Sequence, residues 1–416
     1  MNTRSPKVLI LGLNYAPEPT GNAPYTTNLA ESLAQHDFRV RVMSAHPHYP
    51  SWRVYPGHGG WRQEESQGRV HLTRLGHYVP HSPSNIRRLL SELSFGMRLL
   101  FSRWGRPDIV LLVSPALVSS SMALLRLRLS PSAPPAAIWV QDLYSLGITE
   151  TGAGGAAVAK VMTWIESGTL RSSNRVIAIH DRFKRYMNGQ LGVPNDQIEV
   201  IRNWTHLGES APTDRVEWRT RFGWGENETI VLHAGNQGAK QGLENVVAAA
   251  QYAEKEEVPI RFVLLGDGNQ RAKLEAIGSG LRHLQFIDPL PGDEYQHTMA
   301  ASDVLLVNEL PGVAEMAVPS KLTSYFSTGL PVIAATDEGS VTAEEIETSG
   351  GGLRVNAGDP RALVEGALAL AADPVRSQEL GSAGRHYRNV VLGQEIAVEK
   401  FANTLTSLLI EVKPSG

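Results

Sequence analysis

Apolar residues fall along this chain in short dense runs separated by amphipathic stretches. Leu9 to Leu13 is one such run. It leads into a Pro- and Gly-rich turn, Ala16 to Gly21, and then into Tyr25 to Gln35, where Leu29, Ala30 and Leu33 keep helical spacing. Strand, tight turn and helix make the opening unit of an α/β fold. The alternation predicts further strands at Arg39 to Met43, Val70 to Leu75, Ile109 to Val113, Ala136 to Val140, Val176 to Ile179 and Ile198 to Ile201, with helices at Ile86 to Arg103 and near Ala156 to Leu170. The later strands are short and nearly all apolar, which suits a parallel sheet covered on both faces.

Between Trp204 and Asn227 the texture turns polar, is broken by Pro212, Gly223 and Gly225, and carries no sustained apolar run, so a domain boundary is expected there. The alternation then restarts. Strands are predicted at Thr229 to His233, Ile260 to Leu265, Leu284 to Ile287, Val304 to Val307, Val332 to Ala335 and Gly352 to Val355. Helices are expected from Leu243 and from Gln270, near Glu294 to Ala301, at Lys321 to Ser327, near Ala343 and from Arg361 onward. The expected architecture is α/β with two Rossmann-like domains, residues 1–205 and 206–390, and a helix in 391–416 packing back onto the first. A single TIM barrel could absorb many of the βα units, but it needs a continuous set of eight and leaves the polar break unexplained.

A length of 416 residues fits two or three domains, and 42% hydrophobic residues exclude wholesale disorder. The chain has no cysteine, which removes thiol nucleophiles, cysteine-ligated zinc, iron–sulfur clusters and disulfides together. The apolar run of the N-terminus is too short for a leader and reads as the first strand. Ile109 to Leu125 is 17 residues without charge, at the short limit for a membrane span, but Pro115 and four serines divide it into strand, turn and helix.

A net charge of -3 argues against a nucleic-acid partner. That average conceals residues 85–106, where Arg87, Arg88, Arg98, Arg103 and Arg106 stand among leucines and aromatics. Such a stretch could rest on an anionic membrane surface, or be a domain helix with a charged outer face.

Four loops follow predicted strands with chemistry to offer. In the first, Asn14 to Asn22, Gly21 can take a positive φ or admit a close ligand beside Asn22. The spacing is not the dinucleotide G-x-G-x-x-G, and a plain connecting turn remains open. In the second, His233-Ala234-Gly235-Asn236-Gln237-Gly238-Ala239-Lys240-Gln241-Gly242, two free glycines let backbone approach an anion, and Lys240 could neutralise a diphosphate. The P-loop pattern is not met, and a solvated turn lysine is the alternative. In the third, Leu265-Gly266-Asp267-Gly268, the glycines could let nucleotide or substrate pass close to backbone, although Gly-Asp-Gly is also good turn chemistry.

The fourth runs from Glu309 through Gly312, Val313, Ala314, Glu315 and Met316 to Pro319, Ser320 and Lys321. Here Pro319 can set a helix start, Ser320 can cap it, and Lys321 opposes the helix dipole unless an anion such as a sugar diphosphate sits there. Glu309 and Glu315 could orient sugar or ribose hydroxyls, or be surface carboxylates. At predicted strand ends, Asp142 and His46 could position or deprotonate an acceptor hydroxyl. His46 and His48 lack a ligand spacing for metal, so a metal ion is optional at most.

The pieces LNYAPEPTGNAPYTTNLAESLA, SAHPHYPSW, VQDLYSLG, VIRNWTH, HAGNQGAKQGLE, LLGDGNQR and PGVAEMAVPSKLTSYFSTGLPVIA occur in this order over nearly the whole chain. Together they resemble the retaining glycosyltransferases of the GT4 family, in particular its exopolysaccharide and colanic acid subgroup. The resemblance implies a GT-B fold, two Rossmann-like domains facing a central cleft. It implies a hexosyltransferase using a nucleoside diphosphate sugar, a UDP-sugar foremost, with a glycan, lipid-linked or small-molecule acceptor and no obligatory cofactor. Location in the cytoplasm, or on the inner face of the plasma membrane, follows from the same likeness.

By the same resemblance, Gly21 and Asn22 lie near the donor phosphates and acceptor, and Lys240 and Lys321 engage the diphosphate. Gly312 to Met316 cover the donor sugar, Asn203 and Trp204 close the interdomain end of the cleft, and Asp142 is on the acceptor side. The departures are specific. Two glutamates eight positions apart usually precede a G-x-P turn, but projecting back from Gly329-Leu330-Pro331 finds Met316 and Ser324. Asn236 and Gln237 stand where an arginine is frequent, Asn22 replaces a glycine and Ser145 a proline. An epimerase or hydrolase of sugar nucleotides could use the same phosphate loops, and Met316 with Ser324 leaves room for a noncatalytic glycan-assembly protein.

Overall fold

A computed structural model describes residues 5–19, 21–82, 84–146, 155–204, 213–312 and 320–412. The chain divides into two compact units, Met1–Trp204 with Gln394–Gly416, and Thr205–Gly393.

Unit 1 runs β1 (Lys7–Leu11), α1 (Ala23–Gln35), β2 (Arg39–Ala45), β3 (Arg62–Gln67), β4 (Val70–Leu75), α2 (Asn85–Phe101), β5 (Ile109–Val113), α3 (Leu117–Arg128), β6 (Ala136–Val140), α4 (Gly155–Arg171), β7 (Arg175–Ala178), α5 (Asp181–Gly189) and β8 (Ile198–Val200). Unit 2 runs α6 (Arg215–Phe222), β9 (Thr229–Ala234), α7 (Glu244–Lys255), β10 (Ile260–Leu265), α8 (Arg271–Ile277), β11 (Leu284–Ile287), α9 (Gly292–Ala301), β12 (Val304–Asn308), α10 (Ser320–Thr328), β13 (Val332–Ala335), α11 (Val341–Ser349), β14 (Gly352–Val355), α12 (Pro360–Ala372) and α13 (Pro374–Val390). After these, α14 (Gln394–Val412) returns to unit 1.

The unit 1 sheet has the order β3-β4-β2-β1-β5-β6-β7-β8, with every neighbouring pair parallel except β3 and β4. All five residues of β5 and of β6 are buried, as a sheet covered on both faces requires. The chain lays strands on one side of β1 and then, from β5, on the other. The ends of β1 and β5 therefore form a switch point, where α/β sheets open a crevice at their carboxyl edge.

Unit 2 repeats the device with an all-parallel sheet, β11-β10-β9-β12-β13-β14, and its switch lies between β9 and β12. Along β9, Ile230 and Leu232 join one core cluster and Val231 the other, so both faces are packed. The stretch Ile109 to Leu125 is divided between β5 and α3.

Two elements depart from the hydrophobic pattern. β3 is the polar sequence RQEESQ, an antiparallel edge strand paired Glu64 to Thr73, and Gly68 at φ +56° turns the chain back. Charge on a sheet edge discourages pairing with other chains. α6 lies inside the polar break because Asp214 caps the amides of Val216 and Glu217 and Gly223 closes the helix in the left-handed region.

The α14 helix fills a hole in unit 1. Phe401 is fully buried with its ring 4.8 Å from that of Trp139, which stacks on Trp204 at 5.8 Å, and Thr404 donates to Glu199. Trp204 is therefore a core residue, its indole N–H donating to Asn28 at 2.7 Å, and not a wall of an open site.

Candidate active site

In unit 2 the loops after β9, β10 and β12 interlock through absent side chains. Gly235 and Gly266 have φ of +127° and +129°, and a Cβ on Gly266 would come within 2.1 Å of the Gly235 carbonyl oxygen. A Cβ on Gly268 would meet the Gln237 carbonyl at 2.5 Å, and one on Gly242 the Leu310 Cα at 2.8 Å. Backbone bonds complete the lock: Gln237 N–H donates to the Asp267 carbonyl at 2.8 Å, and Leu310 N–H to that of Lys240 at 2.9 Å. Glycine is required here because only it accepts both these dihedrals and this proximity.

Lys321, the second residue of α10, lies against this lock. Its Cε would be 3.0 Å from a Cβ on Gly235, and its Nζ is 3.3 Å from Nε2 of His233 at the end of β9. Lys240 stands exposed on the short turn Ala239–Gln241 of the same loop. Asn236 packs its amide against Gly238 and Gly268. The structure thus gathers Gly235, Asn236, Gly266 and Lys321 around one strand edge, with Lys240 in the same loop. Ser324 is half-buried one turn along α10, its carbonyl bonded by the Ser327 hydroxyl at 2.6 Å.

Some expectations change. Ser320 is the first helical residue of α10 and not the residue preceding it. Glu309 does not present a carboxylate to a ligand: it is buried, and its two oxygens accept from the hydroxyls of Thr336 and Thr342. Burial raises its pKa against those bonds. The Gly312 amide donates to Asp337 at 2.6 Å. Val313, Ala314, Glu315 and Met316 lie outside the described residues.

In unit 1 the corresponding edge links Asn22 to Asp142. The Asn22 amide donates to the Ser114 carbonyl at 3.0 Å, and the Ser114 hydroxyl to the Asp142 carbonyl at 2.9 Å. Gly21 has φ +70°, with the Tyr49 ring 3.7 Å from where its Cβ would be. Asp142 accepts from the Leu143 amide at 2.8 Å.

The next turn is held from beneath by two buried carboxylates that pattern reading missed. Glu166 accepts from the amides of Tyr144 at 2.8 Å and Ser145 at 3.0 Å and from the Ser145 hydroxyl. Glu92 accepts from the Val118 amide at 3.1 Å and the Tyr144 hydroxyl, and burial pushes its pKa to about 7. A signal for Glu92 exists: it is the one acidic residue between 85 and 106, and it shares a helical phase with Phe95 and Leu99. Glu18, also missed, ties two loops by accepting from the amides of His48 at 2.7 Å and Tyr49 at 2.8 Å and from the Asn14 side chain at 2.8 Å.

His46 and Asn203 are engaged in holding structure. The Gly59 amide donates to His46 Nδ1 and His46 Nε2 faces the Gly60 carbonyl, both at 3.2 Å, which sets the Nε2–H tautomer and occupies both nitrogens. Asn203 donates to Gln141 at 2.7 Å, beside Asp142. Among the described residues no three His, Asp or Glu side chains come together as metal ligands would.

Two family models cover most of the chain: a glycosyl transferase 4-like domain matches residues 20–204, and glycosyl transferases group 1 matches residues 228–373. The chain is 30% identical over 417 residues to the Escherichia coli K12 protein WcaI, assigned as a colanic acid biosynthesis glycosyl transferase, covering 96% of this chain and 99% of that one. Among solved structures, sucrose-phosphate synthase of Thermosynechococcus elongatus superposes with a TM-score of 0.71 at 17% identity, covering 98% of this chain and 100% of that one. HepE of Anabaena, solved with UDP, does so at 0.69 and 14%, covering 96% and 100%. With two switch-point sheets, a glycine-lined lysine loop and these likenesses, the chain belongs to the GT4 family: it is a nucleotide-sugar-dependent glycosyltransferase with the GT-B fold.

Proposed function

We propose that this enzyme moves a hexose from a UDP-sugar to a lipid-linked or soluble glycan during assembly of a cell-surface polysaccharide. The observation that carries the reading is Lys321 laid over Gly235, placing a cation where the loops after β9 and β10 meet backbone to backbone without side chains. A diphosphate leaving the sugar accumulates negative charge, and fixed cations with loop amides stabilise that charge in the transition state. Lys321 and Lys240 supply the cations, Asn236 is exposed in the same loop, and Gly235 and Gly266, whose amides are held by the Leu265 and Ile287 carbonyls, keep side chains out of the way. Ser324 faces the donor where a carboxylate is commoner, and Gly312 begins the segment over the sugar. In unit 1, Asp142, Gly21 and Asn22 receive the acceptor, whose oxygen bonds to the anomeric carbon as the diphosphate departs from the same face, retaining configuration.

The decisive experiment is a donor-by-acceptor matrix read by mass spectrometry, with anomeric configuration from NMR. Transfer with retention is expected. Nucleotide release that forms no glycosidic product with any acceptor would overturn the reading. A charge-assisted hydrogen bond is worth about 1.5–3 kcal/mol, so Lys321→Ala should weaken nucleoside diphosphate binding about 10- to 100-fold by calorimetry.

The acceptor reading also rests on α2. Its core side places Ser91, Glu92 and Gly96 beside Phe95 and Leu99, while Ile86, Leu89, Leu90, Leu93, Met97 and Phe101 face outward. Arg87 and Arg88 on it and Arg103 and Arg106 just beyond its end are exposed, whereas Arg98 is turned back over the Trp61 ring at 3.4 Å. No helix among the described residues is long and apolar enough to cross a membrane. An apolar stripe flanked by arginines fits an anionic bilayer surface, where a lipid-linked acceptor is presented.

A further inference from the structure

We propose that His233 is a positioning residue for the donor site: its buried imidazole accepts a hydrogen bond from the Lys321 ammonium and so fixes Nζ at the edge of β9 for the donor diphosphate. The proposal rests on the reading that Lys321 meets the diphosphate, and deepens it.

His233 stands near the end of β9 after the apolar run Ile230-Val231-Leu232, and is fully buried. A residue needed only to fill this space would be aliphatic, like Val231 and Leu232 beside it, because a buried ring nitrogen without a partner costs free energy that a methyl group does not. Its Nε2 lies 3.3 Å from Lys321 Nζ. An ammonium has only protons to give, so Nε2 is the acceptor and the ring proton sits on Nδ1, a buried nitrogen without a hydrogen-bond partner, a cost that the contact at Nε2 offsets. This needs the neutral ring. Burial, reinforced by the Lys321 charge and opposed by backbone groups of Asn236 and Leu306, holds the imidazole well below its ordinary pKa and so favours the neutral ring.

Three neighbours make the contact specific. Gly235 has no side chain, and a Cβ there would be 3.0 Å from Lys321 Cε, so the lysine stem runs through the space that glycine vacates. One turn later on α10, the Tyr325 hydroxyl accepts from the Ala234 amide at 2.8 Å, fixing the register of the helix against the strand residue next to His233. Ala234 and His233 thus hold two successive turns of α10. A lysine carries four rotatable stem carbons, and anchoring its head before ligand arrives removes ordering that binding would otherwise have to supply.

The test measures, on the whole protein by calorimetry, the affinity for UDP, GDP and ADP relative to the matching nucleoside. This ratio reports the phosphate contacts and is insensitive to general damage to the nucleoside pocket. In the parent protein at least one diphosphate should bind more tightly than its nucleoside. His233→Leu should lower that ratio about tenfold, the loss of one charge-assisted bond's orientation, with the nucleoside affinity itself unchanged. His233→Gln, whose amide oxygen can accept, should keep the ratio within about threefold. Lys321→Ala should lower it at least as far, and adding His233→Leu to Lys321→Ala should lower it no further.

His233→Phe, which keeps a planar ring without an acceptor, replaces the leucine variant if that one fails to fold. A ratio unchanged by the leucine or phenylalanine variant, while Lys321→Ala lowers it, overturns the role of His233 and leaves that of Lys321 standing. Equal losses for diphosphate and nucleoside would assign His233 a packing role and also overturn it. If Lys321→Ala leaves the ratio untouched, the phosphate reading of Lys321 falls, and the positioning role falls with it.

Discussion

At the scale of single residues, the donor loops depend on atoms that are missing. Gly235→Ala puts a methyl group 3.0 Å from the Lys321 stem at a φ of +127°, a conformation that L residues rarely adopt. We expect kcat/KM for the donor to fall about tenfold or more while nucleoside binding changes little, since a displaced ammonium forfeits a bond of about 1.5–3 kcal/mol. Steady-state kinetics against nucleoside titration would separate the two. The glycines were legible in the sequence as loops that admit an anion. Their mutual contacts were not, because Gly266 and Gly235 are 31 positions apart and only the parallel pairing of β9 with β10 makes them touch. His233 was visible only as the first letter of a motif. Its meaning comes from a lysine 88 residues away. Glu309 shows the converse: a carboxylate beside a ligand loop looks functional until Thr336 and Thr342 take both its oxygens.

At the scale of elements, hydrophobic periodicity found the buried strands and could not find β3, whose stability comes from pairing along the β4 edge and from the Arg74–Glu65 ion pair at 2.7 Å. For α2 the pattern left a surface-resting helix and a packed domain helix both open, and the exposed side carries most of its apolar residues. Close approach explains how a face with Ser91, Glu92 and Gly96 beside Phe95 and Leu99 can be the packed one: a Cβ on Gly96 would meet Met122 Sδ at 2.5 Å and Ser119 Cα at 3.0 Å. Gly96→Leu should therefore wedge α2 from α3 and cost about 1–3 kcal/mol in urea unfolding of unit 1.

Glu92 on the same face gives α2 a pH dependence. Its pKa is about 7 in the folded chain against 4.5 for the free group, so between those values the fold holds a proton that the unfolded chain releases. Stability from this group is full below pH 4.5 and is lost as pH rises through 7. At about 1.4 kcal/mol per unit, the loss is about 3–4 kcal/mol. Glu92→Gln should remove that fall between pH 5 and 7.5, and an unchanged pH slope would refute it.

At the scale of the whole molecule, the two-unit α/β plan was readable because βα alternation stops and restarts, and a switch point in each sheet says where a ligand edge must be. What charge did at this scale was hidden by the near-zero sum. Neutralising Arg87, Arg88, Arg103 and Arg106 should abolish flotation with anionic liposomes and leave activity on a soluble acceptor in place; persistent flotation would reject the surface reading. The units also predict a calorimetric signature of two transitions, of which deletion of residues 394–416 should lower only the one belonging to unit 1. That deletion uncovers Trp139 and the partners of Phe401, which is buried completely.

The same arrangement has a consequence for how the chain is made. A ribosome delivers residues 1–204 first, yet the helix that closes their core leaves it only after the whole of unit 2 has emerged. Unit 2, drawn from one continuous segment, can finish folding during synthesis while unit 1 waits with its tryptophan stack uncovered. A chain that stops short of α14 carries that greasy surface permanently, so the cell can recognise an interrupted product by the very residues that a finished one hides.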